Sequence, residues 1–212
     1  QEPQNAQALN ALGVAWQAQS DLPKAIECWQ KAVSINPEYA DVWQNIALAH
    51  EHLNQLPEAI AAHQKVVTLR PQDSQAHRLL GMAQLDYYLL PAANQCFERA
   101  LELDPNDPEN IWQRFFIRAL VGDFPEAWQD YECRFDLQNR TTPDHGFTQP
   151  RWLGESLPEK TILLHSEQGF GDTIQMARYA PQVAKQIGKV ILWTPEPLAK
   201  LMKTVEGIDK VI

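Results

Sequence analysis

The sequence predicts a mainly α chain, a stack of helical hairpins followed by a partial α/β segment, and three observations carry that expectation. Ala25, Ala59, Ala93 and Ala127 recur at a step of 34 residues. Two sets of prolines keep the same step, Pro23, Pro57, Pro91 and Pro125 in one and Pro37, Pro71 and Pro105 in the other. Beyond residue 137 the period stops, and short apolar runs alternate with helical ones. A fixed period of this length marks stacked supersecondary units that cannot bury their apolar faces alone.

Each unit reads as two helices. The first carries a small residue, Gly13, Ala47 or Gly81, among larger apolar groups such as Leu9, Leu12 and Trp16. Small residues let two helices approach closely, and the larger groups recur at helical spacing. The second helix begins at Pro23, Pro57, Pro91 and Pro125, since a first-turn proline lacks only an N–H that would have no partner there. It carries Ala25, Ile26, Trp29 and Val33 and stops before Pro37, Pro71 or Pro105. These signals delimit repeats at 6–39, 40–73 and 74–107. A fourth, at 108–136, is degenerate: Arg114 and Phe115 fill the large and small places of its first helix, Arg134 a small place of its second, and Asn139 the stop proline. It is expected to cap the stack.

Residues 137–160 read as a connector containing Pro143, Pro150 and Pro158, with Trp152 an anchor against a neighbouring domain. Residues 161–165 read as a strand, 166–171 as a turn, 172–187 as a helix, 189–193 as a strand, 197–205 as a helix and 210–212 as the start of a third strand. That alternation opens a parallel, Rossmann-like βαβαβ sheet over 161–212. The segment is expected to be incomplete, because an independent domain of this kind usually takes about 100 residues or more.

Composition limits the functions available. Eighteen Lys+Arg against 27 Asp+Glu leave a net charge of −9, which repels phosphate backbones and anionic lipid, so neither nucleic acid nor a membrane is an expected partner. Residues 1–136 hold 9 basic and 19 acidic side chains and residues 137–212 hold 9 and 8, so the repeats are the acidic part. A neutral or basic partner follows from that balance. Cys28, Cys96 and Cys133 form no CxxC pair and fit packing thiols in a reduced, cytoplasmic compartment. The chain opens on Gln1 and ends at Ile212 inside a strand-like run, from which a fragment is expected.

The pattern of small and bulky positions resembles the tetratricopeptide repeat (TPR) family. Leu9, Leu12, Gly13, Trp16, Ala25, Trp29, Ala32 and Pro37 match it, then Trp43, Ile46, Ala47, Ala59, Val66 and Pro71, then Leu80, Gly81, Ala93, Phe97, Ala100 and Pro105. The resemblance implies a superhelix whose first helices line a concave groove for an extended peptide or partner protein. Groove residues would include Asn10, Gln17, Asp41, Gln44, Asn45, Glu51, Arg78 and Met82. Family members that clamp a terminal carboxylate use several Lys and Asn residues, which Arg78 alone does not reproduce. Asn45 is the one rung of the asparagine ladder found in other members. His50, His63 and His77 stand where the pattern has bulky aromatics, which places them to gather between the second and third hairpins. As imidazoles filling aromatic-shaped holes they would cost the stack stability as pH falls through about 6.5. Their spacing is no ligand motif, so neither metal nor cofactor is expected.

The turn 167–172 contains Gly169 and Gly171 and lies at the carboxyl end of a strand and the amino end of a helix, where α/β sheets bind ligands. Ile174 stands where a dinucleotide fingerprint needs its third glycine. Asp172 is suited either to capping the helix or to accepting a proton. The string from His165 to Gln175 with Ala177, Arg178 and Tyr179 resembles bacterial TPR proteins with a glycosyltransferase-like domain, and the first loop of heptosyltransferase-like GT-B enzymes. That resemblance makes Asp172 the general base in a complete parent, where a nucleotide sugar would bind mainly in a second half. The first expectation is therefore a TPR interaction scaffold that does not turn over by itself. The alternative is an acceptor-recognition region joined to the N-terminal part of a glycosyltransferase.

Overall fold

A computed structural model describes residues 5–137 and 145–212; Asn139 and Pro143 fall outside them. The chain divides into two compact units, Gln1–Leu137 and Gln138–Ile212.

The first unit is a run of antiparallel helices: α1 (Ala6–Ala18), α2 (Leu22–Ile35), α3 (Ala40–His52), α4 (Leu56–Leu69), α5 (Ser74–Asp86), α6 (Leu90–Leu103), α7 (Pro108–Val121) and α8 (Phe124–Tyr131), closed by a 3-10 turn at Glu132–Phe135. Pro23, Pro57, Pro91 and Pro125 occupy the second position of α2, α4, α6 and α8. Pro37, Pro71 and Pro105 follow two residues beyond the ends of α2, α4 and α6. Short polar side chains open other helices, where they take up backbone N–H groups that lack intrahelical partners. Asn5 Oδ1 accepts from the N–H of Gln7 (2.9 Å), Asp73 from Ala76 (3.2 Å) and Asp107 from Glu109 (2.9 Å).

Packing inside each hairpin turns on one pair of positions. Trp29 and Phe97 are fully buried, and a Cβ placed on Gly13 or Gly81 would come inside 3.0 Å of those rings. Only glycine lets the ring lie flat on the opposing backbone. In the second hairpin the ring place holds the smaller His63, also buried, and the facing residue is Ala47. In the fourth, Phe115 faces Tyr131 with ring centroids 5.1 Å apart, so two rings fill the space that one ring and a glycine fill elsewhere. The second helix of that hairpin is accordingly short, with eight helical residues against 14 in α2, α4 and α6. Its register is held by Asp130, which accepts from Arg114 Nε (2.9 Å), Arg114 Nη2 (2.7 Å) and Arg118 Nη1 (2.8 Å).

The three histidines each have a partner of their own. His50 Nδ1 bonds Gln55 Oε1 (2.6 Å), His63 Nε2 bonds Glu51 Oε1 (2.9 Å) and His77 Nε2 donates to the carbonyl of Pro71 (3.1 Å). The last contact repeats, one period on, the donation of Trp43 Nε1 to the Pro37 carbonyl (2.9 Å). His77 thus takes over the local contact of the ring it replaces, while His50 and His63 find partners of their own. Among the described residues no group of three or more His, Cys, Asp and Glu could hold a metal ion.

The turn between the paired helices also repeats. Ser20, Asn54, Tyr88 and Gly122 have φ of 62°, 56°, 61° and 84°. In each, the next residue's N–H reaches back to a carbonyl of the first helix, as from Asp21 to Trp16 and from Leu89 to Gln84. This is the Schellman stop, for which glycine is the usual residue. A tyrosine there is costly, because its Cβ crowds the following carbonyl by about 1–2 kcal/mol.

The second unit is a three-stranded parallel sheet in the order β1 (Leu157–His165), β2 (Ile187–Trp193), β3 (Lys210–Val211), with His165 beside Trp193 and Leu192 beside Val211. The first strand starts four residues before 161, inside the stretch read as connector, with irregular pairing between Leu157 and Thr161. The segment read as one helix is two, α9 (Phe170–Ala177) and α10 (Ala180–Ala184). Pro181 breaks it, since proline has no N–H to continue the ladder and disfavours a helical residue before it. Helix α11 (Glu196–Met202) packs Leu198 and Met202 on Leu192. Trp152 donates to Glu155 O (2.7 Å), closing its own loop. Among the described residues no helix is long and apolar enough to cross a membrane.

Candidate functional site

Helices α1, α3 and α5, the first helices of the first three hairpins, carry the residues expected to line the groove. Adjacent walls meet through their amides: Asn45 Nδ2 donates to Asn10 Oδ1 (3.3 Å), and Asn10 Nδ2 to the Tyr39 hydroxyl (3.4 Å). The Asn10 carbonyl in turn accepts from Trp29 Nε1 (3.3 Å), which ties the wall to the buried ring behind it. Gln17 and Gln44 are half-buried and make no side-chain hydrogen bond among the described residues.

The two acids of α3 are not free. Arg70, the residue that ends α4, donates through Nη2 to Asp41 Oδ1 (2.6 Å). Glu51 holds the buried His63, whose Nδ1 has no partner among the described residues. The one cation of the expected wall, Arg78, places Nη1 3.8 Å from Met82 Sδ and buries Nε without a partner among the described residues. The structure therefore unites Asn10 with Asn45 and Arg78 with Met82, and gives Asp41 and Glu51 countercharges or donors from second helices. Arg70, His63 and Tyr39 were not among the expected groove residues. Arg70 carried one signal, its place just before a stop proline, where a side chain reaches across the end of the hairpin.

Burial raises the thiols of Cys28 and Cys96 above the ordinary range and pushes Cys133 up to about 11, with Asp130 adding to the effect. All three are free.

In the second unit Gly169 forms the N-cap of α9 in extended backbone, and its carbonyl accepts from Thr173 Oγ1 (3.2 Å). Asp172 lies in the first turn, exposed, and its carboxylate makes no capping hydrogen bond, so it suits the helix dipole but does not close the helix end. Gly171 has open space around its Cα. At the carboxyl ends of β1 and β2, His165 and Trp193 pack with His145 and Phe147; the ring centroids of His145 lie 5.0 Å from His165 and 4.5 Å from Trp193. His145 and Phe147 fall in the stretch read as connector, where nothing in the sequence marks them.

Tetratricopeptide repeat family models match residues 6–39 and 28–61. The hairpins that these models cover are tetratricopeptide repeats. Protein FlbA of Caulobacter vibrioides is 31% identical over 85 residues, 38% of this chain, and the match spans 14% of that protein's length. Among solved structures, MamA superposes with a TM-score of 0.59 at 19% identity, over 64% of this chain and 79% of MamA, which is a likeness of fold. The first TPR of Spaghetti (RPAP3), solved bound to the HSP90 peptide SRMEEVD, superposes at 0.52 with 26% identity, over 57% of this chain and 96% of that one.

Proposed function

We propose that the TPR unit is a protein-interaction scaffold that holds an extended, neutral or basic peptide against the wall of α1, α3 and α5. The observation that carries this reading is the set of amides on that wall: the joined pair Asn10 and Asn45, flanked by Gln17 and Gln44 whose side chains are unengaged. Amides both donate and accept, so they match a peptide backbone whatever its sequence. Arg70 offsets the charge of Asp41 and His63 Nε2 engages the Glu51 carboxylate, so neither acid is free for a partner's cation, which favours an uncharged stretch of partner over a strongly basic one. The acidic peptide held by the RPAP3 repeat suggests the binding mode; with Arg78 the one cation of the expected wall, a carboxylate-rich ligand is a poor match here.

A photo-crosslinking residue placed at Gln44, with one at the exposed Lys31 of α2 as control, tests the reading. Peptide adducts are expected at position 44 and absent at 31, and Asn45→Ala should weaken the captured peptide about fivefold or more. Equal labelling at both positions discards the groove.

A second reading, that residues 157–212 open a glycosyltransferase-like α/β domain, is supported by the consecutive parallel order of β1, β2 and β3 and by the Gly169 loop at their carboxyl edge. Helix α9 buries no residue and leaves Phe170, Ile174 and Met176 exposed, as a helix awaiting further cover would. Asp172 would then act as base, and a nucleotide sugar would bind only where a second half completes the domain. Calorimetry of a longer parent chain with nucleotide sugars checks this; no heat with any of them removes it.

A further inference from the structure

The turns of the third and fourth hairpins differ from those of the first two. The first two place Gln19, Ser20 and Asp21, then Leu53, Asn54 and Gln55, at the edge of the stack. The third places Tyr87, Tyr88, Leu89 and Leu90 there, and the fourth Leu120, Val121 and Phe124, all exposed; Tyr88 is 87% accessible and Val121 70%. Tyr88 also holds the left-handed backbone that Asn54 and Gly122 hold more cheaply. A bulky residue kept both strained and exposed contributes nothing to the stack, and strain of this kind concentrates where function keeps it.

Between these turns lies a recess of about 410 Å3, walled by Leu90, Pro91 and Phe97 of α6 and Ile117, Leu120 and Val121 of α7. Exposed apolar surface around a concavity marks a docking site. The charges around it decide the occupant. Arg114 and Arg118 reach the recess and share the single carboxylate of Asp130, which leaves one positive charge among the three against four unpaired acids. Glu98 and Asp123 on its lining, Asp86 beside Tyr87 and Glu126 on α8 make no ion pair among the described residues. The rim is therefore acidic.

We propose that this edge is a second docking surface, distinct from the first-helix wall, for a partner segment with an apolar core flanked by lysine or arginine. The aromatic and aliphatic turns bury the core, and Asp86, Glu98, Asp123 and Glu126 meet the flanking cations.

The test is a peptide-display selection on the full chain, counter-selected on Tyr88→Asn/Val121→Ser, with the enriched peptide then titrated by fluorescence anisotropy. Asn at 88 copies Asn54, so the double variant is expected to melt no lower than the unaltered chain. Enriched peptides should be apolar with Lys/Arg flanks and bind the double variant about tenfold more weakly or worse. Glu98→Lys should weaken them too, and Asn45→Ala should not, which separates this surface from the groove. Acidic flanks, equal binding to the double variant, or loss with Asn45→Ala would overturn the proposal. So would a concentration-dependent dimer abolished by the double variant, or vesicles of phosphatidylglycerol cosedimenting with the unaltered chain alone, since then a second copy or a lipid surface covers the edge.

Discussion

Glycine at 13 and 81 is dictated by the ring it faces. Gly81→Ala should gain about 1 kcal/mol in helix propensity and lose more, about 1–3 kcal/mol, to overpacking against Phe97, a net loss that urea unfolding would read. His63→Phe should destabilise the second hairpin because the larger ring meets the Ala47 side chain. Adding Ala47→Gly should recover part of the loss, with a coupling of about 1–2 kcal/mol in a double-mutant cycle. Additivity would show that ring size and facing residue are unrelated. Cys133 supplies a pH test. Its thiol is raised from 9.0 to about 11, first by burial, so the native state keeps a proton that the unfolded state gives up. That contribution is whole below pH 9.0 and fades as pH rises toward 11, and Cys133→Ala should flatten this part of the alkaline stability curve. At this scale the repeat pattern made the small and large places legible. That His77 donates to Pro71 as Trp43 does to Pro37 was not, because the pattern records size and misses a shared N–H donor.

The fourth hairpin shows why a degenerate element is harder to read. Its departures at Arg114, Phe115 and Arg134 were visible in the sequence, but the compensation was not: Asp130 is buried and binds two arginines of the facing helix. Asp130→Asn should cost about 1–3 kcal/mol by weakening those bonds, and α8 should become the first segment to lose amide protection in hydrogen exchange. Unchanged exchange over 108–135 would assign the register of this hairpin to the rings of Trp112, Phe115, Trp128 and Tyr131 instead. In the second unit, the alternation of strand and helix was legible because runs of Ile, Leu and Val alternate with helical spacing. The early start of β1 was not, since Pro158 within it argues against a strand.

Across the whole TPR unit the main contacts join neighbouring hairpins, so protection should be highest in α3 to α6, which belong to hairpins flanked on both sides, and lowest toward α8. A uniform exchange profile would mean the stack unfolds as one cooperative body. The helix boundaries, the period, the small-large pairing and the acidic balance were all determined by sequence alone, because prolines, caps and apolar spacing act within a few residues. Tertiary structure decided the rest. Asp41 finds Arg70 and Glu51 finds His63 only when α3 and α4 pair, and Asn10 finds Asn45 only when the first two hairpins stack. The apolar edge likewise exists only in three dimensions: Leu90 and Val121, far apart in the sequence, line one recess because successive hairpins bring their turns to the same side.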